Sequence, residues 1–473
     1  MDWVPDSERH GKLWNQPLFW FMGDFQAVTV AIGFVGPSLG LNVLWTFVAG
    51  FTGTVVGTAF MAFHAAQGPR MGLPQMIQSR AQFGYRGVVV PLVAVLFTYV
   101  AFNVIGQVTI AQGMHSAYGL SEGWIALAVT VLAALLVFFG HDWLHRSFRL
   151  ILYVTAPLFA IISIAVITGN DGPTVASSAH YGFNAVGFMV MLGIAVSFNA
   201  TYAVYVSDYS RYLPRNTSSR RLIASVFCGA SLSPIWLITL GAWLAVNLGA
   251  TDPIGGLKTA GNNVIPYFGS VFGIIAVIAL TAVQALNGYG ASLTLLTGLD
   301  AFRKFPRTRR ARIVAIVIAA LLWYIIGSVI SGTAVSDINN LLTLMLYLIV
   351  PWTAVNLSDF FLVRRGHYAI TDIFRINGIY SMWGWRGLTA FFAGFIAEIP
   401  FMVLGSPINY TGPAASALSG VDISWAVGLV IAGVTYLILA RSIDLDAEKA
   451  AIEASEAELQ SISDRASAVQ AAE

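Results

Sequence analysis

From residue 18 to residue 440 the sequence repeats one device, an apolar stretch of about twenty residues followed by a short polar turn. Such a stretch crosses the ~30 Å hydrocarbon core of a bilayer as one helix, because lipid offers no partner to an unpaired backbone group. Candidate spans cover residues 18 to 41, 43 to 66, 88 to 118, 123 to 140, 150 to 168 and 184 to 206. Six more cover 222 to 247, 266 to 298, 311 to 332, 338 to 363, 387 to 404 and 421 to 440. The expected architecture is an all-α integral membrane protein of twelve transmembrane helices. Only 10% of the residues are charged, against roughly 25% in soluble domains, so no soluble fold competes with this reading.

The basic residues orient the spans. Of 25 Lys and Arg, all but Lys258 fall before the first span, after an even-numbered span, or in the tail. Arg70, Arg80 and Arg86 follow the second span, Arg211, Arg215, Arg220 and Arg221 the sixth, and the run FRKFPRTRRAR the eighth. The positive-inside rule therefore places both termini in the cytoplasm, with the protein expected in the cell inner (plasma) membrane. The opening MDWVPDSERHGK carries acids rather than the basic n-region of a cleavable signal. Cys228 is the single cysteine, which excludes disulfides and thiolate metal sites. The lipid bilayer is the partner expected from composition, with no nucleic acid and no cofactor; the oligomeric state is left open.

Three segments are expected: a cytoplasmic N-terminal stretch (1–17), one transmembrane domain (18–440) and an acidic cytoplasmic tail (441–473). In the tail, Ile452, Leu459, Ile462 and Val469 keep heptad spacing for only about two heptads, short of a coiled coil. A frayed, solvated helix is expected there.

Polar residues inside the spans gather at a few places. The first span reads GDFQAVTVAIGFVG, with Gly23, Asp24, Gln26 and Thr29 midway. The sixth reads GIAVSFNATYAV, with Gly193, Ser197, Asn199 and Thr201 near its centre and Phe198 as the aromatic there. Inverted-repeat carriers bind substrate at the midplane on discontinuous helices in matching positions, and both spans look breakable at these points. The competing reading is that small and polar residues only let helices pack closely.

In the third span, FTYVAFNVIGQV, Tyr99 and Asn103 are four apart and project the same way. An aromatic face beside an amide edge suits a flat ring with donors and acceptors on its rim. In the eighth, Thr281, Gln284 and Asn287 advance by threes into a polar stripe, which has to face protein or water. Asp24, about 10 Å into the first span, is the natural proton-coupling group, since an intramembrane acid is a functional candidate by default. Its competing role is a structural carboxylate at the broken backbone. Glu398 in the eleventh span is equally deep, but packing or an oligomer contact suits it better.

VSDYSRYLP (206–214) ends the sixth span. Asp208 and Arg211, three apart, share a helical face and form either an interfacial anchor or an inner gate that breaks and remakes as the helix tilts. Together with GPRMGLPQMIQSRAQFGYRG (68–87) and PWTAVNLSDFFLVRRGHY (351–368), this segment resembles the nucleobase:cation symporter family in its purine and cytosine permease branch. The resemblance covers roughly residues 12 to 440. It implies a LeuT-type fold, with inverted repeats about 18–168 and 184–363, spans 1 and 6 broken at mid-membrane, and peripheral helices in 387–440.

It also implies that Asn287 is the substrate-contacting asparagine and that Tyr99 stands where relatives carry a tryptophan. Sodium-coupled relatives complete a cation site with neighbouring hydroxyls on the eighth helix; here Thr281 is followed by Ala282, so one hydroxyl is missing. Proton and sodium both stay open, with Asp24 and Thr281 as the coupling candidates.

The function expected is secondary active import of a nucleobase of cytosine or purine type, by alternating access. Tyr99, Phe198, Asn103, Asn287 and Gln26 are the expected pocket for this small planar heterocycle. The same fold carrying allantoin, hydantoin or a vitamin precursor is the alternative, and a membrane ligand sensor is the alternative of another class. A membrane enzyme would need a nucleophile with a base, or a metal cluster, within the bilayer, and none is visible. His64, His141 and His145 lie at helix ends without convincing zinc partners, GFTGTVVG is a packing face rather than a phosphate cradle, and GPRMG lacks the lysine and hydroxyl of a P-loop.

Overall fold

Helices form at all twelve expected places in the computed structural model, which describes residues 3–138, 141–169, 181–302, 308–329, 334–405 and 408–472. Among the described residues, seven helices are long and apolar enough to cross a membrane, or up to nine if each sharply bent pair counts as one span. The remainder are shorter, among them Glu122–Phe138 and Trp385–Glu398. Arg303, Lys304 and Arg307, and the side chains of His141, His145, Arg146 and Arg149, lie outside the described residues.

The first span is broken as expected. Helix Asn15–Gly23 stops, Asp24 to Gln26 are not helical, and helix Ala27–Ser38 restarts at an angle of 58°. The sixth span breaks a turn later than expected. Ala185–Ala200 is regular through Gly193, Ser197 and Asn199, then tightens into a 3₁₀ turn at Thr201–Val204. Tyr205 interrupts it (φ −142°, ψ 6°) before a last turn at Val206–Ser210.

The reason lies in side-chain bonding to neighbours. Ser197 Oγ donates to the Leu342 carbonyl, and Asn199 Nδ2 donates to Thr58 Oγ1 (2.6 Å) and to the Ala230 carbonyl (2.8 Å). These donors are satisfied across helices and need no unwound backbone. The third (Val89–Tyr118) and eighth (Phe268–Asp300) spans are the longest and are uninterrupted, so they give the two broken spans a straight wall. A further helix, Pro253–Val264, is capped by Asp252 and lies on the eighth span where Gly261 meets Gly269.

Close contacts between helices use glycine. A Cβ on Gly53 would come within 2.4 Å of the Leu192 carbonyl, and one on Gly57 within 2.3 Å of the Val196 carbonyl, both on the sixth span. GFTGTVVG is thus a packing face.

Near the arginine-rich end, residues 67–83 form three short helices. Arg9 ties down carbonyls there: its guanidinium donates to Pro69 O (2.7 Å) and Val4 O (3.0 Å), while Arg70 is exposed. Arg80 lies 4.3 Å over the Tyr85 ring.

The tail departs from expectation. Leu445–Ala472 is helical, turns 90° from the twelfth span, and buries Glu448, Ser455 and Leu459 against the loop that follows the tenth span. One helical face is docked, so the tail is not the freely solvated helix the heptad count suggested.

Gly57→Val is expected to overpack the contact between second and sixth spans, at a cost of about 1–3 kcal/mol. Gly193, with nothing within 4 Å of a built Cβ, is expected to accept alanine without loss. Thermal unfolding of the two detergent-purified variants checks both; equal melting temperatures would contradict the packing role.

Candidate functional site

Between the two interruptions lies a cavity of about 50 Å³. Trp20 and Gln26 of the first span, Phe102 of the third, Tyr202 and Tyr205 of the sixth, and Gln284 and Asn287 of the eighth line it. The break in the first span is stitched locally. Thr29 donates from Oγ1 to the Asp24 carbonyl, Gln26 Nε2 reaches Gly23 O at 3.4 Å, and the Tyr202 hydroxyl reaches the same carbonyl at 3.4 Å. Backbone that leaves a helix inside lipid survives only where protein or a polar cavity receives it, which this site provides.

Asn103 Oδ1 and Gln284 Oε1 are buried without a hydrogen-bond partner among the described residues, while the buried Asp24 carboxyl and Gln26 amide meet the Tyr202 phenol. Asp24 is 1% exposed, and the Tyr202 phenol lies beside it. Asn287 is half-buried on the wall, and its amide has no hydrogen bond among the described residues. An aromatic surround with amide and carboxyl oxygens can hold a flat ring by its faces and read its edge through N–H donors.

Beyond the tyrosines the space widens into a vestibule of about 500 Å³, lined by Tyr99, Asp208, Arg211, Asn287 and Leu293 among others. It adjoins a cavity of about 550 Å³ that reaches Arg309 and Arg312 at the arginine-rich end. Tyr205, Tyr209 and Asn287 border both the small cavity and the vestibule, so the two tyrosines are the thin wall between them. The molecule is open towards its arginine-rich side.

The expected site residues divide accordingly. Gln26 and Asn287 reach the cavity. Asn103 does so only indirectly: its Nδ2 donates to Gln284 O (3.0 Å) while Gln284 Nε2 donates to Asn103 O (2.9 Å), a reciprocal clasp of the third and eighth spans. Tyr99 stacks on Tyr205 (centroids 5.6 Å, 18° between planes) on the vestibule side, and Phe102, one turn on, takes the place at the cavity.

Phe198 stands behind the wall, with its ring centroid 6.0 Å from Phe102 and 5.8 Å from Tyr202. The later break in the sixth span brings Tyr202 forward in its stead. Thr281 donates to Val277 O (2.8 Å) within its own helix and is not on the cavity wall. The Asp208 carboxylate accepts from the Gln75 backbone N–H (2.7 Å), which ties the sixth span to the 67–83 loop. Arg211 donates to the Asp208 carbonyl (3.3 Å) and lies 5.0 Å over the Tyr212 ring. Among the described residues no group of three or more His, Cys, Asp or Glu could hold a metal ion.

Sequence reasoning missed Trp20, Phe102, Tyr202, Tyr205 and Tyr209. The last three were legible: their spacing of three and four puts them on one helical face, in the stretch just before and within VSDYSRYLP.

The sequence profile of a family described as permeases for cytosine/purines, uracil, thiamine and allantoin matches residues 3–428. The putative purine-cytosine permease YxlA of Bacillus subtilis is 32% identical over 443 residues, covering 93% of this chain and 94% of that protein. The purine-cytosine permease fcyB of Emericella nidulans is 24% identical, with 92% and 86% covered. Among solved structures, Mhp1 in an inward-facing conformation (TM-score 0.69, 19% identity, 93% and 92% covered) has the same fold. So has Mhp1 described as a nucleobase-cation-symport-1 family transporter, closed with bromovinylhydantoin bound (0.70, 18%, 93% and 94%). On its sequence, and on a fold that interrupts the first and sixth spans around one cavity, the chain belongs to the family of permeases for cytosine/purines, uracil, thiamine and allantoin.

Proposed function

We propose that this permease imports a nucleobase of cytosine or purine type by alternating access, driven by a cation gradient. The observation that carries the reading is the unbonded Asn287 amide facing Gln26 and the Trp20, Phe102, Tyr202 and Tyr205 rings across one small cavity. At about 50 Å³ the cavity is far below the roughly 300–1,000 Å³ of occupied ligand sites. A bound ring therefore requires the tyrosine wall to move, and the vestibule beyond it is the exit. The basic loops gather at the vestibule's mouth, so that mouth faces the cytoplasm of a plasma membrane, and both termini lie on that side.

The coupling ion we propose is a proton on Asp24, a fully buried carboxyl beside the break whose neighbour is the Tyr202 phenol rather than a cation. Sodium is the second reading. Thr281 keeps its oxygen lone pairs after donating to Val277, although Ala282 leaves the next position without an oxygen.

Thermal unfolding of the purified protein is expected to shift upward with cytosine, adenine or hypoxanthine, and more at pH 5.5 than at 7.5 with sodium absent. A shift only with allantoin or a hydantoin would move the substrate class; a shift that requires sodium would transfer coupling to the Thr281 region. Binding without uptake into proteoliposomes would favour a sensor over a transporter.

Asn287→Leu is expected to keep the wild-type melting temperature and to lose the ligand shift. Asn103→Leu removes a clasp and is expected to lower stability by about 1 kcal/mol, read as a lower melting temperature without ligand. Asp24→Asn is expected to keep ligand binding and to abolish uptake driven by an imposed pH gradient, measured in the same proteoliposomes. Retained gradient-driven uptake in Asp24→Asn would remove Asp24 from coupling.

A further inference from the structure

The C-terminal helix is joined to the vestibule by a continuous chain of buried polar contacts. Glu448 accepts two bonds from Arg364, Nε to Oε2 at 2.9 Å and Nη2 to Oε1 at 2.8 Å. The third guanidinium nitrogen, Nη1, donates to Asp359 Oδ1 at 2.7 Å. Asp359 is fully buried in the π-turn that ends the tenth span, and it also accepts from Tyr436 (2.7 Å), Tyr368 (2.8 Å) and Gln82 Nε2 (2.6 Å).

From Gln82 the chain passes through amides. Asn356 Nδ2 donates to Gln82 Oε1 (3.2 Å), Gln67 Nε2 to Asn356 Oδ1 (2.6 Å), and Gln75 Nε2 to Gln67 Oε1 (2.9 Å). The Gln75 backbone N–H then donates to Asp208, whose side chain is on the vestibule wall. Donation runs one way through these side-chain amides, from Gln75 to Asp359, which accepts from Gln82 on one side and from Arg364 on the other. A shift of Arg364 changes what Asp359 can accept, and therefore where Gln82 sits.

The charges make the first link sensitive. Arg364 is buried and shared by two carboxylates. When one partner of a buried ion pair is neutralised, the remaining charges rearrange, because an uncompensated buried charge is costly.

We propose that Glu448 is a positioning residue for the gate of the vestibule. Through Arg364 and Asp359 it holds the 67–82 loop against Asp208, and so favours the arrangement open to the cytoplasm in which this chain of bonds is complete. Contacts made in one state of a two-state gate bias the gate towards that state. Asp208, expected to belong to an inner gate, thereby gains a control point about 240 residues away in the chain, on a helix that lines neither the small cavity nor the vestibule. The inference rests on the transport reading for what the gate serves.

Its test reads the gate alone, without substrate. In a Cys228→Ser background, Thr294→Cys on the wall of the cavity of about 550 Å³ that adjoins the vestibule reports opening through its rate of alkylation by a small maleimide in proteoliposomes. Glu448→Gln is expected to slow alkylation by about threefold or more, in protein that elutes as wild type. Glu458→Gln breaks only the exposed contact of the same helix with Arg375 (2.8 Å) and is expected to leave the rate unchanged. An unchanged rate in Glu448→Gln, or equal slowing in Glu458→Gln, overturns the proposal. If Glu448→Gln does not accumulate, Glu448→Asp, which keeps the charge and shortens the reach, takes its place with a smaller slowing expected; an unchanged rate there overturns it equally. Because no nucleobase enters the assay, a failed substrate assignment leaves this outcome readable.

Discussion

Two helices that stop inside a bilayer impose the central constraint on this molecule. Each interruption frees backbone N–H and carbonyl groups where lipid can satisfy none of them. The chain meets this by placing both interruptions against each other and against uninterrupted spans. Gly23 O receives bonds from Gln26 and from Tyr202 of the opposite broken span, and the Asp24 carbonyl receives one from Thr29. Of the polar side chains beside the breaks, Gln26 and Gln284 line one small cavity. A ligand with a polar rim can complete what the protein leaves unpaired.

The aromatic residues around that cavity act in two layers. Trp20, Phe102 and Tyr202 belong to the cavity, whereas Tyr205 and Tyr209 divide it from the vestibule. A stacked pair such as Tyr99 with Tyr205 contributes about 0.5–1.5 kcal/mol beyond area burial, small enough for thermal motion to part it on the way to release. The clasp between Asn103 and Gln284 works in the opposite direction: it fixes the third and eighth spans to each other, as a rigid surface beside the tyrosines.

At the arginine-rich end the same economy of buried charge appears. Asp359 accepts from four side chains on three different segments, and Arg364 joins it to the tail helix. Removing any one of these donors leaves a buried carboxylate short of compensation. The tail, the loop after the tenth span and the 67–83 loop are therefore one polar body, although the chain separates the 67–83 loop from the other two by more than 270 residues.

Much of this was legible in the residues. Apolar runs of membrane length, the placement of every basic residue but Lys258, and polar midpoints in spans 1 and 6 determined a helical membrane protein with two interrupted helices, since period and transfer energy are local properties. The break at Asp24–Gln26 and the half-buried amide of Asn287 were readable for the same reason. Which turn of the sixth span opens was decided in three dimensions, because Ser197 and Asn199 find partners on other helices and leave Tyr202 to face the cavity. The placement of Tyr99 outside that cavity, and the docking of Glu448 on Arg364, were likewise set by neighbours distant in sequence. A side chain's partner across a helix interface depends on tertiary packing, which no local spacing encodes.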